Sequence, residues 1–96
     1  MADWQWGKRY TVSQIKAARA LLEWSQQDLA EASSKSVQTI KRLEALRGRI
    51  AGRDTTVQDI MLALEAGGIE FVEEPGGGVG VIFRKPKSRR RSGSTR

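Results

Sequence analysis

From Thr11 the apolar positions fall into a helical rhythm. Ile15, Ala18 and Leu22, with Leu21 alongside, form one face. Thr11 and Gln14 stand at capping-box spacing, so each can satisfy an orphan amide of the other. This pattern predicts a helix running to about Trp24. Ser25 and Asp28 repeat the cap spacing, and Leu29, Ala30 and Ala32 follow before Ser33 and Ser34 interrupt, which predicts a helix of two turns. Ser36 can cap a third helix, with Ile40 and Leu43 turned inward and Gln38, Lys41 and Arg42 on the opposite face. Residues 47–54 contain two glycines and no period, and read as a loop. The rhythm resumes at Thr56, with Asp59 three residues on. Val57, Ile60, Met61 and Leu64 then occupy i, i+3, i+4 and i+7, and Gly67-Gly68 ends the run. Residues 69–72 and 79–83 read as two strands around a Pro/Gly turn at 73–78, a β-hairpin with a loop longer than the tight two-residue type. No internal repeat is visible.

Ninety-six residues predict one domain with a thin core and little room for an enclosed substrate pocket. There is no cysteine and no histidine, which excludes thiol chemistry, disulfides, the usual zinc sets and the commonest general base. No cofactor is expected. No apolar run has the length of a membrane helix, and the first ten residues lack a signal peptide's apolar stretch, so the expected compartment is the cytoplasm, with the nucleoid as the site of action. The net charge is +6, and its placement says more than its size. From Arg84 onward there are seven Lys/Arg and no acid, whereas residues 1–83 carry ten bases and eleven acids. Within the body, Lys35, Lys41, Arg42, Arg47, Arg49 and Arg53 face a single acid, Glu44, over residues 35–53. Basic charge gathered in one element and one tail suits a polyanion; read blandly, it is a solubilising surface and a disordered tail.

Two short helices across a tight turn are common, but the detail here is specific. Trp24-Ser25-Gln26-Gln27-Asp28-Leu29-Ala30, a turn, then Ser36-Val37-Gln38-Thr39-Ile40-Lys41-Arg42-Leu43-Glu44 resembles the Cro/cI-type (XRE) helix-turn-helix regulators. The resemblance spans residues 12–64, with its motif at 26–45. It implies a mainly α, lambda-repressor-like bundle of about four helices, here followed by a β-hairpin and a disordered basic tail. The expected segments are an arm at 1–10, the DNA-binding domain at 11–67, the hairpin at 68–84 and the tail at 85–96. Carried onto this chain, the family's base-contacting positions are Val37, Gln38, Lys41 and Arg42. Gln26 and Ser36 fall where the family binds phosphate, and Glu44 falls at a structural position. Lys35, Thr39, Arg47 and Arg49 complete the expected phosphate contacts. The chemistry of the side chains agrees. Gln38 and Arg42 lie four residues apart on one helix face; glutamine can pair bidentately with adenine and arginine with guanine. The family turn carries glycine and then an apolar residue where this chain has Ser34 and Lys35. If the turn keeps the family's shape Ser34 takes a positive φ; Lys35 cannot fill the apolar socket, so either the turn is reshaped or Lys35 swings out toward the phosphates.

The hairpin raises the question of what covers it. A two-stranded hairpin alone is marginal and must be covered by the helices or by another subunit; the apolar Val79, Val81 and Phe83 are expected to form a dimer interface. A symmetric dimer would set two recognition helices about 34 Å apart, one turn of DNA. The partners expected are therefore double-stranded DNA and a second copy of the chain. Gly76-Gly77-Gly78 precedes no helix and reads as a turn, not a phosphate loop. Glu70, Glu73 and Glu74 read as a solvated edge, and Trp4, Trp6 and Trp24 are too scattered for a base-stacking platform. An alternative role is that of an antitoxin or anti-activator gripping a protein partner, with DNA binding secondary. A third is non-specific binding driven by the tail.

Overall fold

Side-chain caps set where the helices begin. In the computed structural model, which describes residues 9–51 and 55–84, Thr11 caps helix α1 (Val12–Leu22) with a complete box. The Gln14 amide donates to the Thr11 hydroxyl at 3.1 Å, and the Thr11 amide donates to Gln14 Oε1 at 3.0 Å. The helix stops two residues short of the expected Trp24. Glu23 adopts the left-handed conformation (φ 60), and its amide turns back to the Ala20 carbonyl. Ser25 and Asp28 build the same box on helix α2 (Gln26–Ser33). Ser34 ends α2 at φ 60, the positive φ that the turn required. Ser36 caps helix α3 (Val37–Glu44), its hydroxyl accepting from the Thr39 amide at 3.1 Å. Helix α4 (Thr55–Ala66) begins one residue before Thr56, which therefore lies inside it.

One core joins these helices to the hairpin. Ile15 and Ala18 of α1, Leu29 and Ala30 of α2, and Ile40 and Leu43 of α3 meet Val57, Ile60, Met61 and Leu64 of α4. All four periodic positions of α4 are buried, as its spacing predicts. Leu21 is exposed and lies off the α1 face on which the sequence pattern placed it.

Strands β3 (Ile69–Glu73) and β4 (Val79–Phe83) pair antiparallel, with Phe71 opposite Val81. Their loop is closed by the Glu74 amide donating to the Gly78 carbonyl at 2.8 Å. Gln14 anchors the hairpin to α1: its Nε2 donates to the Gly80 carbonyl at 3.0 Å and more weakly to that of Val72 at 3.4 Å. Gly68 makes the entry possible. It sits at φ +114, and a Cβ there would lie 2.3 Å from the Arg84 carbonyl oxygen.

The stretch expected as a loop contains a strand instead. β1 (Arg9–Thr11) pairs antiparallel with β2 (Arg49–Ala51), Tyr10 opposite Ile50, and the Val12 amide donates to the Gly48 carbonyl at 3.0 Å. Three residues carry no readable period; this strand exists because a segment some forty residues away presents free backbone groups to it. Tyr10, expected in the polar arm, is thereby buried in the core, edge-on to Phe71 with ring centroids 5.5 Å apart. Trp4, Trp6, Arg53 and the tail at 85–96 lie outside the described residues.

Candidate nucleic-acid interface

Helix α3 divides cleanly into two faces. Ile40, Leu43 and Glu44 are buried, whereas Gln38, Lys41, Arg42 and Ala45 are exposed. Those four stand at i, i+3, i+4 and i+7, so they share one outward strip. Three of the four expected base-reading residues are on it. Val37 is half-buried and packs against the core, which leaves only its flank toward solvent.

The carboxylate of Glu44 holds this helix in place from behind. Arg19 of α1 clamps it with two charge-assisted hydrogen bonds, Nε to Oε2 at 2.7 Å and Nη2 to Oε1 at 2.9 Å. Arg19 Nη1 also donates to the Trp24 carbonyl at 2.9 Å, and Gln26 Nε2 donates to Glu44 Oε1 at 3.0 Å. One acid thus gathers α1, the start of α2 and the end of α3. Burial alone would push the Glu44 carboxyl up. The hydrogen bonds from Arg19 and Gln26, with the charges of Arg19 and Lys16, outweigh it and hold the group below the ordinary carboxylate range. The hydrogen bond to Glu44 raises the Arg19 guanidinium in return, against the opposing effect of burial.

The residues expected at phosphates are distributed differently from one another. Ser36 is exposed at the start of α3, with its hydroxyl 2.9 Å from that of Thr39, which is half-buried. Arg47 is exposed just beyond α3; Arg49 lies in β2. The side chain of Gln26 is half-buried and committed to Glu44. Lys35 turns to the opposite side from the one expected. Its Nζ lies 2.9 Å from Asp59 Oδ2 on α4, because the turn carries Lys35 past that helix and an acid waits there. This exposed pair stabilises modestly.

Arg19 is the structural partner that sequence reasoning missed. The signal was present: it lies four residues after Ile15 and three before Leu22, beside the buried stripe. Trp24 packs against Gly67, where a Cβ would stand 3.1 Å from its ring. Of the residues expected at a dimer interface, Val79 and Phe83 are exposed, but Val81 is partly buried against the core, since it stands opposite the buried Phe71.

Two short helices in this order, the second with one face packed and one bare, define a helix-turn-helix DNA-binding domain. A helix-turn-helix family model matches residues 15–65, just over half of the chain, and the chain belongs to that family, the XRE type of the Cro/cI regulators. It is a family of DNA-binding transcription regulators. No curated protein matches the chain. Among the described residues no helix is long and apolar enough to cross a membrane.

Proposed function

We propose that the protein reads specific double-stranded DNA with α3 in the major groove and regulates transcription as a dimer on an inverted-repeat operator, repressing by occupancy. The observation that carries this reading is the bare strip of Gln38, Lys41, Arg42 and Ala45 on a helix whose other face is locked by Ile40, Leu43 and Glu44. A rigid helix with adjacent amide and guanidinium donors offers the bidentate geometry that adenine and guanine accept. Gln38 and Arg42 are assigned to base edges, Lys41 to a base or a phosphate, and Val37 to a flanking apolar contact. Ser36, Thr39, Arg47 and Arg49 are assigned to the backbone. Gln26, which spends one amide hydrogen on Glu44 and keeps a second, is assigned to a phosphate as well, whereas Lys35 is paired with Asp59.

Selection of sites from random duplex DNA tests the reading, with the wild type and Gln38→Ala/Arg42→Ala run side by side. An enriched inverted repeat that the double variant no longer selects is the expected result. Equal, weak binding by both proteins with no enrichment would overturn it and favour a protein partner as the main target.

A further inference from the structure

We propose that Lys16 of α1, with Leu46 and Arg47 of the segment after α3, forms a second contact surface, which grips the DNA sugar-phosphate backbone flanking the bases that α3 reads. This rests on the DNA-reading function proposed above and extends its footprint to a helix that carries no part of the reading strip.

The pairing of β1 with β2 builds this surface. Thr11 stands opposite Arg49, and the Val12 amide donates to the Gly48 carbonyl at 3.0 Å. Near the other end of α1, Arg19 clamps Glu44, the last residue of α3. The chain from Glu44 to Gly48 is thus tied at both ends and runs alongside α1 in the opposite direction. Lys16 lies four residues after Val12 and three before Arg19, so it stands on the edge of α1 that this segment follows. From there its charge reaches the Glu44 carboxylate. Lys16, Leu46 and Arg47 are all exposed. Helix α1 contains no acid, and neither do residues 45–51. Arg19 is neutralised by Glu44, but Lys16 and Arg47 have no ion-pair partner among the described residues. Uncompensated bases gathered from two distant segments suit a polyanion.

Leu46 selects among polyanions. At 52% it is the most exposed large apolar side chain among the described residues, and it adjoins Arg47. A DNA backbone alternates charged phosphate with deoxyribose, whose carbon face can cover a leucine, and contacts to both are the ones that position a protein on a duplex. The place of the surface fits as well. The first residues of a recognition helix meet the base edges, so the chain leaving its far end passes the wall of the groove, which is sugar and phosphate. Lys16, one turn before Arg19 on α1, then meets the same wall from the neighbouring element.

The test measures binding of the full chain to the duplex site that the wild type selects, from about 50 to about 200 mM salt, across the range where phosphate contacts are weakened. Lys16→Gln and Arg47→Gln should each make the slope of log affinity against log salt shallower by about 0.9, so that the loss each causes shrinks about 3.5-fold over that range. Lys16→Arg should keep the wild-type slope. Leu46→Ala should weaken binding by the same factor at every salt concentration, because the contact it removes is apolar. None of these changes should alter the preference among single-base variants of the site. Wild-type affinity and slope in Lys16→Gln overturn the proposal, and so does a shifted base preference in any of the variants. If no site is selected, a mixed-sequence duplex is the probe. The same slope changes there would leave this surface standing and remove the sequence-reading function instead. Binding to neither duplex overturns both.

Discussion

Arg19 and Glu44, twenty-five residues apart, are joined by two hydrogen bonds of 2.7 and 2.9 Å, and this pair fixes helix α3 to the first helix of the bundle. Glu44 is 6% exposed, so its charge has no recourse to solvent. Arg19→Ala should therefore cost about 3 kcal/mol, since it leaves a buried carboxylate with only Gln26. Arg19→Met/Glu44→Leu should recover much of that loss. Urea unfolding of the three proteins checks both statements. Because the folded carboxyl titrates below its ordinary value of 4.5, its contribution is present above that pH and is lost as pH falls through the depressed value. Glu44→Gln should show a flatter fall in stability on the acid side.

Tyr10 offers the opposite case. Its hydroxyl is buried with no hydrogen-bond partner among the described residues. Tyr10→Phe should leave stability unchanged or raise it by about 1 kcal/mol, as an unpaired buried hydroxyl is removed without changing the ring. Burial, with the nearby charges of Glu65 and Glu73, pushes the phenol up to about 12. The stability tied to the neutral phenol should be intact below pH 10 and decline as pH rises from there through about 12. The chain has one tyrosine, so phenolate absorbance in an alkaline titration reports this residue alone.

The turn between α2 and α3 stores a small strain. Ser34 holds φ 60, where a residue with a Cβ is disfavoured. Ser34→Gly should stabilise the protein by about 0.5–1 kcal/mol, the left-handed relief exceeding the added freedom of the unfolded chain. Thermal melts would show it, and a lower melting temperature would mean that the serine makes a compensating contact.

On the DNA side, Arg42→Ala should cost about 1–3 kcal/mol on a selected site and relax preference at one base position. Competition binding against single-base variants of the site reads both effects. A loss that is uniform across all sequences would reassign Arg42 to a phosphate.

Deleting residues 85–96 removes six bases and no acid. Binding should weaken on every sequence and its salt dependence should become shallower, because fewer counterions are released. Titrations at several salt concentrations measure the slope. A changed sequence preference with an unchanged slope would show that the tail reads bases.

Much of this was legible in the chain because it depends on near neighbours. Capping boxes at Thr11/Gln14 and Ser25/Asp28 and the apolar positions of α4 involve residues three to seven apart, and a helix brings such residues together wherever it forms. The outward strip of Gln38, Lys41 and Arg42 follows from the same geometry. The positive φ at Ser34 was implied by the resemblance, which sets this serine where the family's turn carries glycine.

Tertiary structure alone decided the rest, where partners are distant and the local signal is weak. β2 has three residues and a mate some forty positions earlier, so no window along the sequence contains both strands. Lys35 could have turned to either side; an acid on α4, brought within 2.9 Å by packing, drew it to that helix. That Gln26 also bonds to Glu44, eighteen residues on, was not readable along the chain, because only packing brings the two helices together. Val81 left the apolar edge for the core because the register set it against Phe71. Periodicity along the chain determines which face of a helix is apolar, but which charges and strands meet depends on how the whole chain packs.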